Sequence, residues 1–410
     1  MSLPILALAV SLATGGIGRV LLPDGAELIV ALLPEARTTA MVLVVRTGSA
    51  DDPAEMAGLA HLLEHAIFEG SFDQPGRAFA RAARAAGVAF NAHTGRELTT
   101  YELSAPASVF FEHASALMRL VTSPGLDRVS VDSVAAVVTT ESMWRGGDRM
   151  SMLDDAIFDS PTRLLGTRTT LGRVKPANLV EFYTRWYRPA NTTLVVAGPV
   201  TLPEVESWAV RASRLPPSLP EERPDPRVEP MTLPVDQRTR APLTLVIRGY
   251  AVESADAAAC RSLALVLERR LGTRRELAAE AAAAEVDCVR LRENTLLLAE
   301  LLAPRADAGS DLPELLTRLL AGLEHSPPTA AELRAITRHA ELVTVRRSSR
   351  PAELALHIAQ LATERTPSGR TDLQPLGPPA PLSPTQVRAF VRRNFQPERQ
   401  IAIQLSPYEG

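Results

Sequence analysis

Lysine is all but missing from this sequence: of 44 basic residues only Lys175 is not an arginine, a bias we read as genome composition rather than chemistry. Cysteine occurs twice in 410 residues, at Cys260 and Cys288. Two are too few for a disulfide framework or a cysteine-based metal site, and they leave the redox compartment open. A basic excess is also missing. With 47 acidic residues against the 44 basic ones the net charge is −3, which removes the clustered positive charge expected of a nucleic-acid-binding protein. No apolar run reaches the ~18 residues that a membrane-spanning helix requires. The N-terminal PILALAVSLATGG is apolar enough for the core of a secretory signal, yet no Lys or Arg precedes it as a signal would require. The expected compartment is therefore the cytoplasm, with the periplasm as the alternative.

What is present is a soluble-type composition, 46% hydrophobic and 22% charged, in a chain long enough for two to four domains. An internal repeat organises it. MVLVVRTG (41–48) resembles LTLVIRGY (243–250), and TGRELTTYELSAP, ending at Pro106, resembles RENTLLLAELLAP, ending at Pro304. LVEFYTRWYRPANTTLVVAGP (179–199) likewise resembles VRAFVRRNFQPERQIAIQLSP, ending at Pro407. Between the halves, RLPPSLPEERPDPRVEPMTLP (214–234) is dense in proline, which blocks helix interiors and central strands, and it reads as a semi-rigid linker. The expected organisation is residues 1–213, a linker at 214–234, and a homologous domain at 235–410.

Within each half, β-branched runs such as AELIVALL (26–33), MVLVVRTG and NTTLVVAG predict strands. QPGRAFARAARAAG and ANLVEFYTRWY carry helical spacing, with Gly87 at the first one's C-terminal end. This irregular mixture predicts an α+β fold: two homologous α/β sandwiches, each a mostly antiparallel sheet packed against helices.

One short stretch carries chemistry. In GLAHLLEHAIFEGS (58–71), His61 and His65 stand four apart, so a helix stacks them on one face. Their imidazoles can then reach one ion at the ~2.0–2.1 Å that zinc takes from histidine. Glu64 lies on the adjoining face, placed to take a proton from water rather than to bind the metal. The order is H-x-x-E-H, that of the inverzincins. A catalytic zinc needs a third protein ligand. The candidate is Glu141 in VDSVAAVVTTESMW (131–144), where Val134, Val137, Val138 and Glu141 fall close to one helical face.

With these residues in place, the sequence resembles the pitrilysin/insulysin family of zinc metallopeptidases, in particular its short-chain branch with the mitochondrial processing peptidase and bacterial two-subunit homologues. GSADDPAEMAGLAHLLEHAIFEGS is similar to that family's zinc-helix region, and FNAHTGRELTTYELSAP (90–106) resembles its Asn-Ala-x-Thr edge strand. TLGRVKPANLVEFYTRWYRPANTTLVVAGPV (170–200) resembles the end of its first domain. Glu141 follows His65 by 76 positions, which suits the family's third ligand. The resemblance implies that His61, His65 and Glu141 bind Zn²⁺ and that Glu64 is the general base. It also implies that Asn91 and Ala92 lie on an edge strand that pairs with an extended peptide, with Phe68 near the site or in the core.

Two departures stand against this. Family members often carry a second Glu two helical turns before the third ligand, where this chain has Val134, with Asp132 the nearest acidic substitute. Active members also hold the substrate carbonyl with an Arg and a Tyr seven positions apart in the half facing the zinc. Here Ala281 and Ala282 stand seven beyond Arg274 and Arg275, and no tyrosine occurs between Tyr250 and Tyr408. The expected role is thus the zinc-bearing catalytic subunit of a heterodimeric endopeptidase whose homologous partner supplies the Arg/Tyr pair, with a homodimer as the variant. The alternative is a non-catalytic assembly subunit. The second half has no copy of the motif, since the positions matching His61, Glu64 and His65 are Leu263, Val266 and Leu267.

Overall fold

The computed structural model describes residues 16–71, 76–144, 165–218, 235–240, 244–253, 256–272, 283–291, 294–303, 312–363 and 382–406. Nearly all of the N-terminal apolar run, most of the Pro-rich segment, and Arg274, Arg275, Ala281 and Ala282 lie outside the described residues.

The chain opens with strands β1 (Ile17–Leu21), β2 (Glu27–Leu32) and β3 (Thr38–Val45), followed by helices α1 (Leu59–Glu69) and α2 (Gly76–Ala85). Strands β4 (Ala89–Thr94) and β5 (Thr99–Pro106) lead to α3 (Phe110–Thr122) and α4 (Val131–Trp144). The one-turn α5 (Arg168–Leu171), α6 (Pro176–Trp186), β6 (Thr192–Gly198) and α7 (Leu202–Ala212) complete the first half. The second half runs β7 (Val235–Arg240), β8 (Thr244–Val252), α8 (Ala257–Gly272), β9 (Ala283–Leu291) and β10 (Asn294–Ala303). It then continues through α9 (Leu312–His325), α10 (Ala330–Ser348), α11 (Pro351–Thr363), α12 (Pro384–Asn394) and β11 (Gln400–Ser406).

Two sheets form, ordered β1-β2-β6-β3-β5-β4 and β7-β11-β8-β10-β9. In the first, β2 runs parallel to β6 and every other neighbour is antiparallel. In the second, β7 runs parallel to β11 and the rest are antiparallel. Strand for strand, β2-β6-β3-β5-β4 and β7-β11-β8-β10-β9 share one order and one set of directions, which is the repeat seen in the sequence carried into topology. The α+β architecture is therefore as expected.

Burial follows strand position. β3 is buried from its second residue onward and β6 throughout, as in central strands covered on both faces. β5 and the edge strand β4 alternate, with one face in the core and one nearer solvent. The inner face of the first sheet, including Leu28, Met41, Leu43 and Tyr101, packs against α1, α3, α6 and α7. Its outer face, including Ile29, Ala31, Ala40, Val42 and Ala197, packs against Leu354, Ala355, Ile358 and Ala359 of α11. Alanines on both sides of that contact bring helix and strands close. The chain divides into two compact units, and the unit built on the first sheet takes in α11 although that helix comes late in the sequence.

The second sheet has its own core, formed by Tyr250, Cys260, Leu263, Leu267, Leu297, Leu301, Leu323 and Phe390 among others. Too few for a framework, the two cysteines nonetheless pair with each other. A disulfide joins Cys260 on α8 to Cys288 on β9, with Cα atoms 5.9 Å apart, within the ~4.4–6.8 Å span that such bridges need. Among the described residues no helix is long and apolar enough to cross a membrane.

Candidate metal centre

Helix α1 owes its position to a regular apolar stripe. Leu59, Leu62, Leu63, Ala66 and Ile67 follow i, i+3, i+4, i+7, i+8 and are all at most 2% exposed. Truncating one of those leucines to alanine would cost about 2–5 kcal/mol. Gly58 opens the helix at φ +90°. A side chain there would be strained, and its Cβ would meet Gly166 Cα at 2.7 Å. With the stripe held in the core, His61, Glu64 and His65 share the remaining arc of the helix.

Helix α4 packs against α1 and brings Glu141 to the histidines. Val134 and Val138 are its core contacts, 3% and 0% exposed, and Glu141 follows on the same face. Val134, where the family resemblance led us to expect an acidic residue, is therefore a packing position, while Asp132 is exposed in the first turn.

The three candidate ligands form a close triangle. His61 Nε2 and His65 Nε2 are 3.3 Å apart. Glu141 Oε2 lies 3.7 Å from His61 Nε2 and 3.0 Å from His65 Nε2. Four donors arranged tetrahedrally at ~2.0–2.1 Å from zinc would be roughly 3.3 Å from one another. The donor set thus fits a zinc ion in both chemistry and spacing: two imidazoles and a carboxylate. Among the described residues these three are the one group of His, Cys, Asp or Glu side chains so placed. His61 is buried, whereas the side chains of His65 and Glu141 are 25% and 20% exposed, so the group has access from one side.

Glu64 sits beside the triangle and is buried like His61, the two residues being 8% and 5% exposed. Burial pushes its pKa up, and a hydrogen bond from Thr94 together with the neighbouring imidazoles of His65 and His93 pulls it back. The Thr94 hydroxyl donates to Glu64 Oε2 at 2.6 Å. Beyond the carboxylate, the hydroxyls of Tyr101 and Tyr187 are 2.8 Å apart, and burial pushes both phenols up. Thr94, Tyr101 and Tyr187 were not among the residues singled out from sequence. The only signal was the Thr of the Asn-Ala-x-Thr pattern, whose contact with Glu64 depends on how β4 lies against α1.

Asn91 and Ala92 both lie on β4, opposite Glu102 and Tyr101 of β5. Among the described residues β4 pairs with β5 alone, so its other backbone edge is open beside α1. Asn91 is exposed and Ala92 half-buried. Phe68 is half-buried against Phe90 and Tyr101, with ring centroids 6.0 and 6.1 Å away, and packs on the main core cluster. Of the other histidines, His113 is buried with Nδ1 3.1 Å from the Val109 carbonyl, and His357 lies 3.3 Å from an Arg347 nitrogen.

Comparison with known proteins gives two matching family models. Residues 29–144 match the model described as Insulinase (Peptidase family M16), and residues 173–287 match the Peptidase M16 inactive domain. The first contains all four residues of the centre, and the second reaches into the half without the motif. Among curated relatives, an uncharacterized zinc protease of Mycobacterium leprae is 31% identical over 198 residues, covering 46% of this chain and 44% of that protein. The probable zinc protease PqqL of Escherichia coli is 29% identical over 181 residues, 38% of this chain and 18% of its own length. The chain thus matches less than half the length of either relative. Among solved structures, a protease from Helicobacter pylori superposes with a TM-score of 0.81 at 19% identity, covering 95% of this chain and 99% of that one. That likeness is one of fold.

Proposed function

The chain belongs to the insulinase family of peptidases, family M16, and on that premise we propose that it is a zinc-dependent endopeptidase, working as the catalytic subunit of a heterodimer. One observation carries the reading: the triangle of His61, His65 and Glu141, with Glu64 held beside it by Thr94.

Zinc held by His61, His65 and Glu141 would supply Lewis acidity toward a peptide carbonyl and toward water, whose pKa it brings near ~7. The chain's own residues do the rest. Glu64 accepts the proton that water loses as its oxygen attacks the carbonyl carbon, then returns it to the nitrogen when the C–N bond breaks. Thr94 keeps the Glu64 carboxylate turned toward that position. In the metal-free centre, burial holds the Glu64 carboxyl above the usual carboxylate range. The open edge of β4, at Asn91 and Ala92, offers backbone groups on which an extended substrate adds as a further strand. Such a site suits peptides and unfolded segments better than folded proteins.

The missing Arg/Tyr pair supports the heterodimer. With Ala281 and Ala282 where the resemblance would place the tyrosine, a second copy of this chain would not supply that pair. A homologous companion, of similar length, without H-x-x-E-H but with Arg and Tyr seven apart, would supply it. The test is hydrolysis of a quenched fluorescent peptide by zinc-loaded protein, alone and with such a companion encoded nearby in the genome. Turnover is expected only for the pair and is lost in Glu64→Gln. Full activity of the isolated chain would remove the heterodimer, and an inert zinc-loaded pair would favour the assembly-subunit reading.

A further inference from the structure

Helix α1 enters the centre just after Ala60, and its entrance is held by an unusual group. Asp52, eight residues upstream of Ala60, is 0% exposed. One carboxylate oxygen accepts from the Gly58 N–H at 2.7 Å and the other from the Ala60 N–H at 2.8 Å. The first backbone N–H groups of a helix have no acceptor within it, and negative charge there complements the helix dipole. Burying a carboxylate is nonetheless expensive. Burial pushes the Asp52 carboxyl well above its usual range, and the bonds from Ala60 and Gly58 oppose this.

A serine or threonine would cap a helix at a lower desolvation cost, and this chain uses that solution elsewhere. Ser383 with Gln386 caps α12 at an exposed position, the Ser383 hydroxyl accepting from the Gln386 N–H at 3.2 Å. At α1 the two oxygens of one carboxylate instead grip two amides two residues apart, which constrains both the rotation and the axial position of the first turn. The preceding residue is gripped from another side, since the Thr170 hydroxyl donates to the Ala57 carbonyl at 2.8 Å. Gly58 meanwhile sits against Gly166. His61 follows the gripped Ala60 amide directly.

We propose that Asp52 is a positioning residue for the metal centre, fixing the first turn of α1 so that His61 and His65 face Glu141. This rests on those three residues being the metal ligands. Metal–ligand distances tolerate only ~0.2 Å, so a small rotation of the first turn would open the triangle even in a folded protein. Loss of an outer partner that orients a ligand commonly reduces metal affinity ~10–100-fold.

The test uses the full chain and compares Asp52→Asn with Ser383→Ala, a cap removed from a helix remote in sequence from the centre. Asparagine keeps the shape but replaces one acceptor oxygen with an NH₂ group facing a backbone N–H. Zinc affinity is measured by competition with a chelator, and the visible absorption of the cobalt(II)-loaded chain reports ligand geometry. Asp52→Asn is expected to weaken zinc by about 10- to 100-fold and to alter the cobalt spectrum, while Ser383→Ala changes neither. Should Asp52→Asn not fold, Asp52→Ser, which keeps one acceptor and adds no amide, is read in the same way. Wild-type affinity and an unchanged cobalt spectrum in a folded Asp52 variant would overturn the proposal and leave Asp52 a structural cap. Failure of the wild-type chain to bind zinc or cobalt would instead overturn the metal-centre reading on which it rests.

Discussion

Thr94, on the last position of edge strand β4, donates a 2.6 Å hydrogen bond to the buried carboxylate of Glu64 on α1. The strand proposed to receive substrate and the helix proposed to carry out the chemistry are therefore joined by one side-chain contact. Any tilt of β4 on peptide binding would be felt at Glu64.

Replacing Thr94 with valine keeps the volume and removes the hydroxyl. A hydrogen bond to a charged group is worth about 1.5–3 kcal/mol. If that stabilisation is realised in the transition state, kcat should fall roughly 10- to 100-fold, since 1.36 kcal/mol is a factor of ten in rate. KM and zinc content should stay near wild type, and Thr94→Ser should restore most of the rate. Steady-state kinetics of the active assembly decides it. Equal kcat for the valine and serine variants would remove Thr94 from this role.

In the second unit, Asp256 accepts a pair of hydrogen bonds from Arg393 and another from Asn394. The Arg393 contacts are the main reason its carboxyl is held below the usual range, with burial opposing them. The sign follows directly. A carboxylate with a depressed folded-state pKa adds stability that is fully present above its unfolded value of about 3.9 and is lost as pH falls through the folded value. Denaturant unfolding of wild type and Asp256→Asn should therefore differ most near neutral pH and converge at acid pH below about 4. A constant difference across that range would contradict the assignment.

Cys260 and Cys288 are 28 positions apart and bridge α8 to the edge strand β9. By the chain-entropy relation, closing a loop of that length stabilises the fold by about 3–4 kcal/mol. Purified protein unfolded without reductant should take up no iodoacetamide, and Cys260→Ser/Cys288→Ser should unfold at lower denaturant by a comparable free energy. Two free thiols in the non-reduced protein would show that the bridge does not form. Such bridges persist in oxidising compartments and are kept open in the cytosol, so the state of this pair in the source cell also reads the compartment.

Much of the centre was legible in sequence because its chemistry is local. His61, Glu64 and His65 share one helix, so their relation follows from helical geometry alone, and the apolar stripe that orients that helix lies within the same eleven residues. Glu141 lies far off in sequence, but Val134 and Val138 show which face its helix presents; Val137, grouped with them on spacing, is instead exposed. Strand repeats were readable for the same reason, as short β-branched runs in a fixed order. What stayed hidden depends on how separate elements meet. Thr94 reaches Glu64 only because β4 lies against α1, Asp52 reaches forward past the 3₁₀ turn Ala54–Met56, and α11 covers a sheet built from the other end of the chain. The cysteine pair belongs to the same class, since only the packing of α8 on β9 brings the sulfurs together.

The central claim is that His61, His65 and Glu141 hold one zinc ion and that Glu64 does not hold it. The direct measurement is zinc per chain by elemental analysis after loading and dialysis, for wild type, Glu64→Gln, His65→Ala and Glu141→Ala. The account predicts about one zinc for wild type and Glu64→Gln, and marked loss in His65→Ala and Glu141→Ala, as expected for a centre with three protein ligands. Zinc retained in full by His65→Ala and Glu141→Ala, or lost in Glu64→Gln, would contradict it.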